Sequence, residues 1–372
     1  MKRNWLVVGI ILLFIGMAYV PAIAQNTERP QSSQGTWLYV GGSGPGNYTK
    51  IQDAINNSSD GDTVFVYDQS SPYFEQLYID VSISLIGENK NTTILDGSNI
   101  LPSNGIINFQ SSNVSIAGFT LRNSTWNGIR IVDFSNNTFI NNIFLNNKAS
   151  GIFLAGSEKN CIEYNEFSGG EYGIQLAIGA NHNTIRNNYL TMAESDGIWT
   201  RESNHNFIIN NTIEHNKRDG IRLQGTHNYV IESNNISYNR RGLSGGSTAC
   251  LIEKNKINNN KQGILFDIEG NNNIIQLNDF KSNTLGLYFS FSSGNIVQSN
   301  NFLRNTFDAS SFSSSTTWSK NFWNRPRLLP KPIINWQIYW IIEPEFRPGL
   351  ALIYPRPYFD KTPALIPYDI GE

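Results

Sequence analysis

Apolar residues recur along this chain in short beats with a long, fixed period. The pair Gly-Ile or Gly-Leu returns at Gly105, Gly128, Gly151, Gly173, Gly197, Gly220, Gly242, Gly263 and Gly286, at intervals of 21–24 residues. A second beat keeps step with it, opened by Asn113, Asn137, Asn160, Asn183, Asn206, Asn228, Cys250, Asn273 and Asn295. Five residues further on, most units place another Asn, as at Asn142, Asn165, Asn188, Asn211, Asn278 and Asn300. Self-similarity at this period means a solenoid. Each unit reads as three apolar-x-apolar beats parted by polar turns, as in Gly151-Ile-Phe-Leu, Cys161-Ile-Glu-Tyr and Asn165-Glu-Phe. Three short strands in 22–23 residues leave no room for a helix, so the pattern predicts an all-β, right-handed parallel β-helix. A leucine-rich repeat shares the period, but Leu is scarce in these beats and a second Asn-led strand fills the stretch its helix would need.

Two further patterns agree with this reading. Of 14 prolines none lies between residues 103 and 325, where a missing N–H would break a ladder on both sides. The Asn columns fit inward amides that donate to one neighbouring coil and accept from the other. Before the repeats, Ile51, Ala54 and Ile55 share one face of a short amphipathic helix, a natural lid for the first coil. After about residue 320 the repeat stops, and nine of the 14 prolines follow from Pro326 onward among Trp323, Trp336, Trp340, Tyr354 and Phe359. That stretch is too aromatic for a disordered tail and is expected to cover the last coil. The expected organisation is a signal peptide over 1–24, a linker over 25–36, an N-terminal cap with the first coils over 37–100, repeats over 101–320, and a capping tail over 321–372.

The leader follows from Lys2 and Arg3, an apolar run of 16 residues from Trp5 to Val20, and Ala22-Ile-Ala24 before Gln25. It is short for a membrane span, and no later segment is apolar enough to cross a bilayer, so the chain is expected to be secreted or held in a periplasm-like space. Formal charge is −2, with 28 basic and 30 acidic residues. That balance argues against nucleic acid and is compatible with neutral polysaccharide, a cell-surface role or cation binding; the expected partner is a glycan or cell-surface component, and the expected state a monomer. Cys161 and Cys250 lie four repeats apart, roughly 19 Å at one strand spacing per coil, too far to bridge. Cys250 reads as a buried filler of an Asn slot. Asn-x-Ser/Thr motifs at Asn47, Asn56, Asn57, Asn91, Asn123, Asn136, Asn210 and Asn235 are candidate glycan acceptors, whereas Asn113 is expected to be buried.

The stretches Gly61-Asp-Thr-Val-Phe-Val-Tyr67 and Ile83-Ser-Leu-Ile-Gly-Glu-Asn-Lys-Asn-Thr-Thr-Ile-Leu-Asp-Gly97 resemble the opening of NosD-type right-handed β-helix proteins. These belong to the wider group of carbohydrate-binding and sugar-hydrolase (CASH) repeats. Asn321-Phe-Trp-Asn-Arg-Pro-Arg-Leu-Leu-Pro330 and Pro367-Tyr-Asp-Ile370 resemble the tail of their secreted archaeal members. The resemblance spans nearly the whole chain after the leader, apart from Ile333 to Leu352. It implies the fold, and as a function it implies an accessory role in copper supply.

Three candidate chemistries follow. His182, His205 and His227 each precede an Asn of the second beat in consecutive units. Stacked one coil apart, they form a candidate Cu or Zn site, against the blander reading of a solvated polar turn. On the Gly-Ile strand, Asp196, Trp199, Arg201, Asp219, Arg222 and Arg241 point to a sugar-binding groove, in which a ring stacks on Trp while carboxylates and guanidinia take hydroxyls. The blander reading is a charged, solvated sheet face. Asp196 and Asp219 also invite a polysaccharide lyase or hydrolase, but the flanking arginines are expected to keep both ionised, leaving no general acid. No catalytic residue is assigned. The leading expectation is an exported carbohydrate-binding or structural surface protein.

Overall fold

A computed structural model describes residues 35–99, 104–324, 329–340 and 351–370. The expected leader and nearly all of the expected linker lie outside the described residues. One coil carries the strands Cys161–Glu163, Glu166–Ser168 and Tyr172–Leu176. The next lays Thr184–Arg186, Tyr189–Thr191 and Asp196–Arg201 over them, parallel and in register, with Ile185 on Ile162, Leu190 on Phe167 and Ile198 on Ile174. Repetition gives three sheets of 13, 11 and 14 strands among the described residues, here the first, second and third. The sheets enclose a narrow core in which equivalent side chains stack, such as Phe144 on Phe167 with ring centroids 4.7 Å apart and Phe280 on Phe302 at 4.8 Å. Burial of each such side chain stabilises the stack by about 1.5–3 kcal/mol before the entropy of ordering it is counted.

The corners explain the Asn columns. Between the first and second sheets the chain turns on one residue in the left-handed region, including Asn187 at φ 56° and Asn210 at φ 55°. So sharp a corner leaves backbone groups unpaired, and the next residue, an inward Asn, satisfies them. Asn211 accepts the Asn188 backbone N–H at 3.0 Å and donates to the Ile185 carbonyl at 2.9 Å and to Asn234 Oδ1 at 3.0 Å. A third Asn column, Asn216, Asn239, Asn260 and Asn283, runs at the corner before the third sheet.

The glycine column has a steric cause. A Cβ on Gly197 would stand 2.8 Å from the Gly220 carbonyl oxygen, and one on Gly220 would stand 2.7 Å from that of Gly242. Backbones of successive coils approach too closely there for any side chain. Gly105 does not share this position: it pairs with Asn127, so Ile106 stands opposite Gly128. Gly105 is followed by two isoleucines; the inward beats fall on Ile107 and Phe109, and Asn108 closes the strand start by bonds of 2.9 Å to the Gly105 N–H and carbonyl.

Two Asn positions of the first-sheet column also shift by one residue. Val114, not Asn113, and Tyr229, not Asn228, occupy the inward slot. Counting back two residues from the buried Ile116 and Ile231 finds both. Asn113 is therefore exposed in a left-handed corner at φ 59°, contrary to the expectation of burial. The Tyr229 phenol replaces the missing amide, meeting Asn206 Nδ2 and Ser203 Oγ at 2.7 Å each. Cys250 is buried in the same column, where its N–H donates to Asn273 at 2.9 Å, and Cys161 and Cys250 are both free thiols.

Helix α1 (Ile51–Asn56) buries Ile51, Ala54 and Ile55 against the strands Trp37–Val40, Thr63–Val66 and Leu77–Ile79. The Glu75 carboxylate accepts the first helical N–H groups, Ile51 at 2.9 Å and Gln52 at 3.1 Å, complementing the positive helix end. At the other end Lys331–Trp340 adds in parallel to Phe307–Phe312 and pairs antiparallel with Ala351–Pro355 and Tyr358–Asp360.

Candidate functional site

The outer face of the third sheet carries two parallel columns. One holds the residue before each Gly: Asn127, Ser150, Tyr172, Asp196, Asp219 and Arg241. The other holds the outward residue between the inward beats: Arg130, Phe153, Gln175, Trp199, Arg222 and Ser244. Members of the two columns meet one coil apart. Ser150 Oγ donates to Gln175 at 3.0 Å, the Tyr172 and Trp199 rings stack with centroids 4.9 Å apart and planes 28° apart, and Ser244 Oγ donates to Asp219.

The columns divide the face into an aromatic part and a charged part. Trp126, Arg130, Phe153, Glu171, Tyr172 and Trp199 line an open cleft of about 380 Å³. Trp126 is 52% exposed, and the Arg130 guanidinium lies 6.0 Å over the Phe153 ring. Trp199 is half-buried rather than free, and its indole N–H finds no partner among the described residues. Burial, reinforced by Glu171 and Asp196, pushes the Tyr172 phenol up to about 12, so it stays a neutral donor. Trp126 and Tyr172 were not among the sequence candidates; Tyr172 could have been found from its place before Gly173, the slot that holds Asp196 and Asp219 later on.

The charged part holds the predicted acids and arginines. Asp196 and Asp219 are both fully buried. Asp219 Oδ1 accepts Arg241 Nε at 2.6 Å, and Asp196 Oδ1 accepts the Asp219 backbone N–H at 3.0 Å. Arg222 Nη1 stands 3.8 Å from Asp196 Oδ2, which has no hydrogen-bond partner among the described residues. Burial first, and the Asp219 charge second, raise the Asp196 carboxyl above the ordinary aspartate value, outweighing the Asp219 N–H, Arg222 and Arg218. At Asp196 desolvation therefore outweighs the arginines. Neither carboxylate presents surface to a substrate. Arg222 and Arg241 line a second cleft of about 290 Å³, rimmed by the exposed Asp267 and Glu269. Arg201 lies outside both clefts, exposed, with Nε 3.2 Å from Glu202.

The histidines do not form one column. His182 and His205 stack with ring centroids 4.9 Å apart and planes 18° apart, both on left-handed corner residues. The next member is Asn228, whose Nδ2 meets His205 Nε2 at 3.1 Å, because the ladder slot of that coil is Tyr229. His227 falls one residue early and bridges to Asn204. Asn136, Lys159 and Asn272 hold the same corner position in other coils, and its shared requirement is a positive φ. Among the described residues no group of three or more His, Cys, Asp or Glu comes together to hold a metal.

The sequence matches no curated protein. Among solved structures, the chain is similar to the A-module of mannuronan C-5 epimerase AlgE6 of Azotobacter vinelandii, with 15% identity over 72% of this chain and 93% of that one and a TM-score of 0.51. It is similar also to the surface protein and adhesin PfbA of Streptococcus pneumoniae, with 14% identity, 74% and 93% coverage and a TM-score of 0.55. At these identities the likeness is one of fold. The family model for the right-handed beta helix region matches residues 31–190, 149–265 and 196–321, and the chain belongs to that family.

Proposed function

We propose that this protein is an exported surface module that binds carbohydrate along the outer face of its third sheet. One observation carries the reading: the Tyr172–Trp199 stack forms the wall of an open cleft that also presents Trp126, Arg130 and Glu171. A pyranose ring has an apolar face that stacks on aromatic rings, and hydroxyls that need donors and acceptors at the rim. The cleft offers both, on strands held rigid by the ladder above and below. The same fold serves a mannuronan epimerase and a surface adhesin, so it is one that works at polysaccharides and at cell surfaces. Among the described residues no helix is long and apolar enough to cross a membrane.

A glycan array followed by calorimetry on the best polymer tests this. Trp199→Ala and Tyr172→Ala are each expected to weaken binding about tenfold or more, the equivalent of one stacking contact. If wild type retains no glycan, or Trp199→Ala binds as wild type does, the reading fails.

A further inference from the structure

The charged half of the same face says what kind of glycan it takes. Trp199 and Arg222 are register partners on adjacent coils, about 4.8 Å apart along the stack, so the aromatic and the arginine surfaces are continuous. Arg241 follows in the neighbouring column one coil later, opposite Asp219. A wholly buried carboxylate of the preceding coil lies beneath each guanidinium: Asp219 holds Arg241 by a bond of 2.6 Å, and Asp196 stands 3.8 Å from Arg222. Burying two acids on the outward face of a sheet is costly, and a solvated salt bridge would serve solubility as well. What the burial achieves is position. The arginine side chains are only 30% and 19% exposed, so little rotamer freedom remains to be lost on binding.

The donors are only partly used. Among the described residues Arg241 donates through Nε alone, and Arg222 makes no side-chain hydrogen bond, its nearest carboxylate oxygen being 3.8 Å away. Both keep terminal N–H groups for a planar or tetrahedral anion, the bidentate geometry in which arginine excels. Asp267 and Glu269 close the far rim of the cleft and would repel an anion there, which confines it to the side nearest Trp199.

We propose that the ligand is an acidic polysaccharide, its rings on Tyr172 and Trp199 and its carboxylate or sulfate groups on Arg222 and Arg241. This rests on the glycan-binding reading and narrows it. Single-stranded nucleic acid also combines rings with anions, and its binding is one of the outcomes the test below separates.

The test measures binding of the full chain to a polyuronate, to a sulfated glycan, to the same polyuronate after carboxyl reduction, and to an oligonucleotide. Expected is at least about tenfold tighter binding of one charged polymer than of the reduced one, lost progressively with added salt. The polymer preferred tells carboxylate from sulfate. Arg222→Gln should bring charged-polymer affinity down to that of the reduced polymer. Because either arginine substitution strands a buried acid, the paired variants Asp196→Asn/Arg222→Gln and Asp219→Asn/Arg241→Gln accompany the single one and are expected to lose preference for the charged polymer, with the far-ultraviolet spectrum as the check on folding. Equal binding of charged and reduced polymer overturns this proposal and leaves the glycan reading standing. Retention of no polymer overturns both, and tighter binding of the oligonucleotide overturns the choice of glycan.

Discussion

Asp360 ends the amide ladder that begins far upstream. Its Oδ2 accepts the Asn321 backbone N–H at 2.9 Å and the Asn321 side-chain amide at 3.1 Å, and takes the Trp323 indole N–H at 3.0 Å. Asn321 is itself the acceptor for Asn300, so a carboxylate stands where the next coil would have supplied an amide oxygen. An anion suits this place, since the amides of the row donate a backbone N–H and a side-chain N–H toward the following coil, as Asn300 does to Asn321.

Loss of that acceptor should loosen the end of the helix. Asp360→Ala orphans three buried donors and is expected to cost about 1–3 kcal/mol or more, whereas Asp360→Asn keeps an oxygen and should cost less. Denaturant melting gives the totals. Hydrogen exchange should show the loss concentrated at Phe322 and Trp323, and protection there equal to wild type would refute the cap.

Tyr229 tests the ladder at the point where it departs from asparagine. Tyr229→Phe keeps the ring's packing but leaves Asn206 Nδ2 and Ser203 Oγ without the phenol at 2.7 Å. The expected cost is about 1–3 kcal/mol, read as a lower denaturation midpoint at unchanged slope. A neutral result would mean that the phenol does not stand in for an amide.

Gly220→Ala probes coil spacing. Its Cβ would meet the Gly242 oxygen and Ile236 Cγ2 at 2.7 Å each, and backbone cannot yield as a side-chain tip can. Overpacking of this kind costs about 1–3 kcal/mol. A variant as stable as wild type in thermal melting would show that the coils can part.

Asp196 should give stability an acid-side dependence of unusual sign. Its folded carboxyl lies above the ordinary value of 3.8. At the lowest pH both folded and unfolded forms are protonated and nothing is lost. As pH rises from the ordinary carboxylate range through the raised value, the unfolded chain releases its proton first, and stability falls. Above that window the full penalty remains. Asp196→Asn should therefore be at least as stable as wild type at neutral pH and show a flatter profile across the window. Asp279 is shifted the same way by its own burial, so the difference between variant and wild type is the quantity to read. An Asp196→Asn protein that melts well below wild type at neutral pH would contradict the account.

The repeat made the fold legible: strand order, most inward beats and two of the three asparagine columns followed from its spacing, and the lid helix from the shared face of Ile51, Ala54 and Ile55. Single-residue register did not, because Asn113 and Asn228 look like ladder members until the buried Ile116 and Ile231 are known. That slip separates His227 from His182 and His205. Asp196, Trp199, Asp219, Arg222 and Arg241 were legible as members of one sheet face, and Tyr172 shares the slot before Gly173, whereas Trp126 lies outside both columns and only the folded chain brings it beside them.

Periodicity by itself determined that equivalent residues stack, since a strand repeating every coil can pair only with its own next copy. Tertiary structure alone decided which side chains of neighbouring columns touch, and which acids sink from water beneath the arginines. Those outcomes depend on corner geometry and on distances of a few ångströms, and a shift of one residue in a corner carries a side chain to another side of the coil.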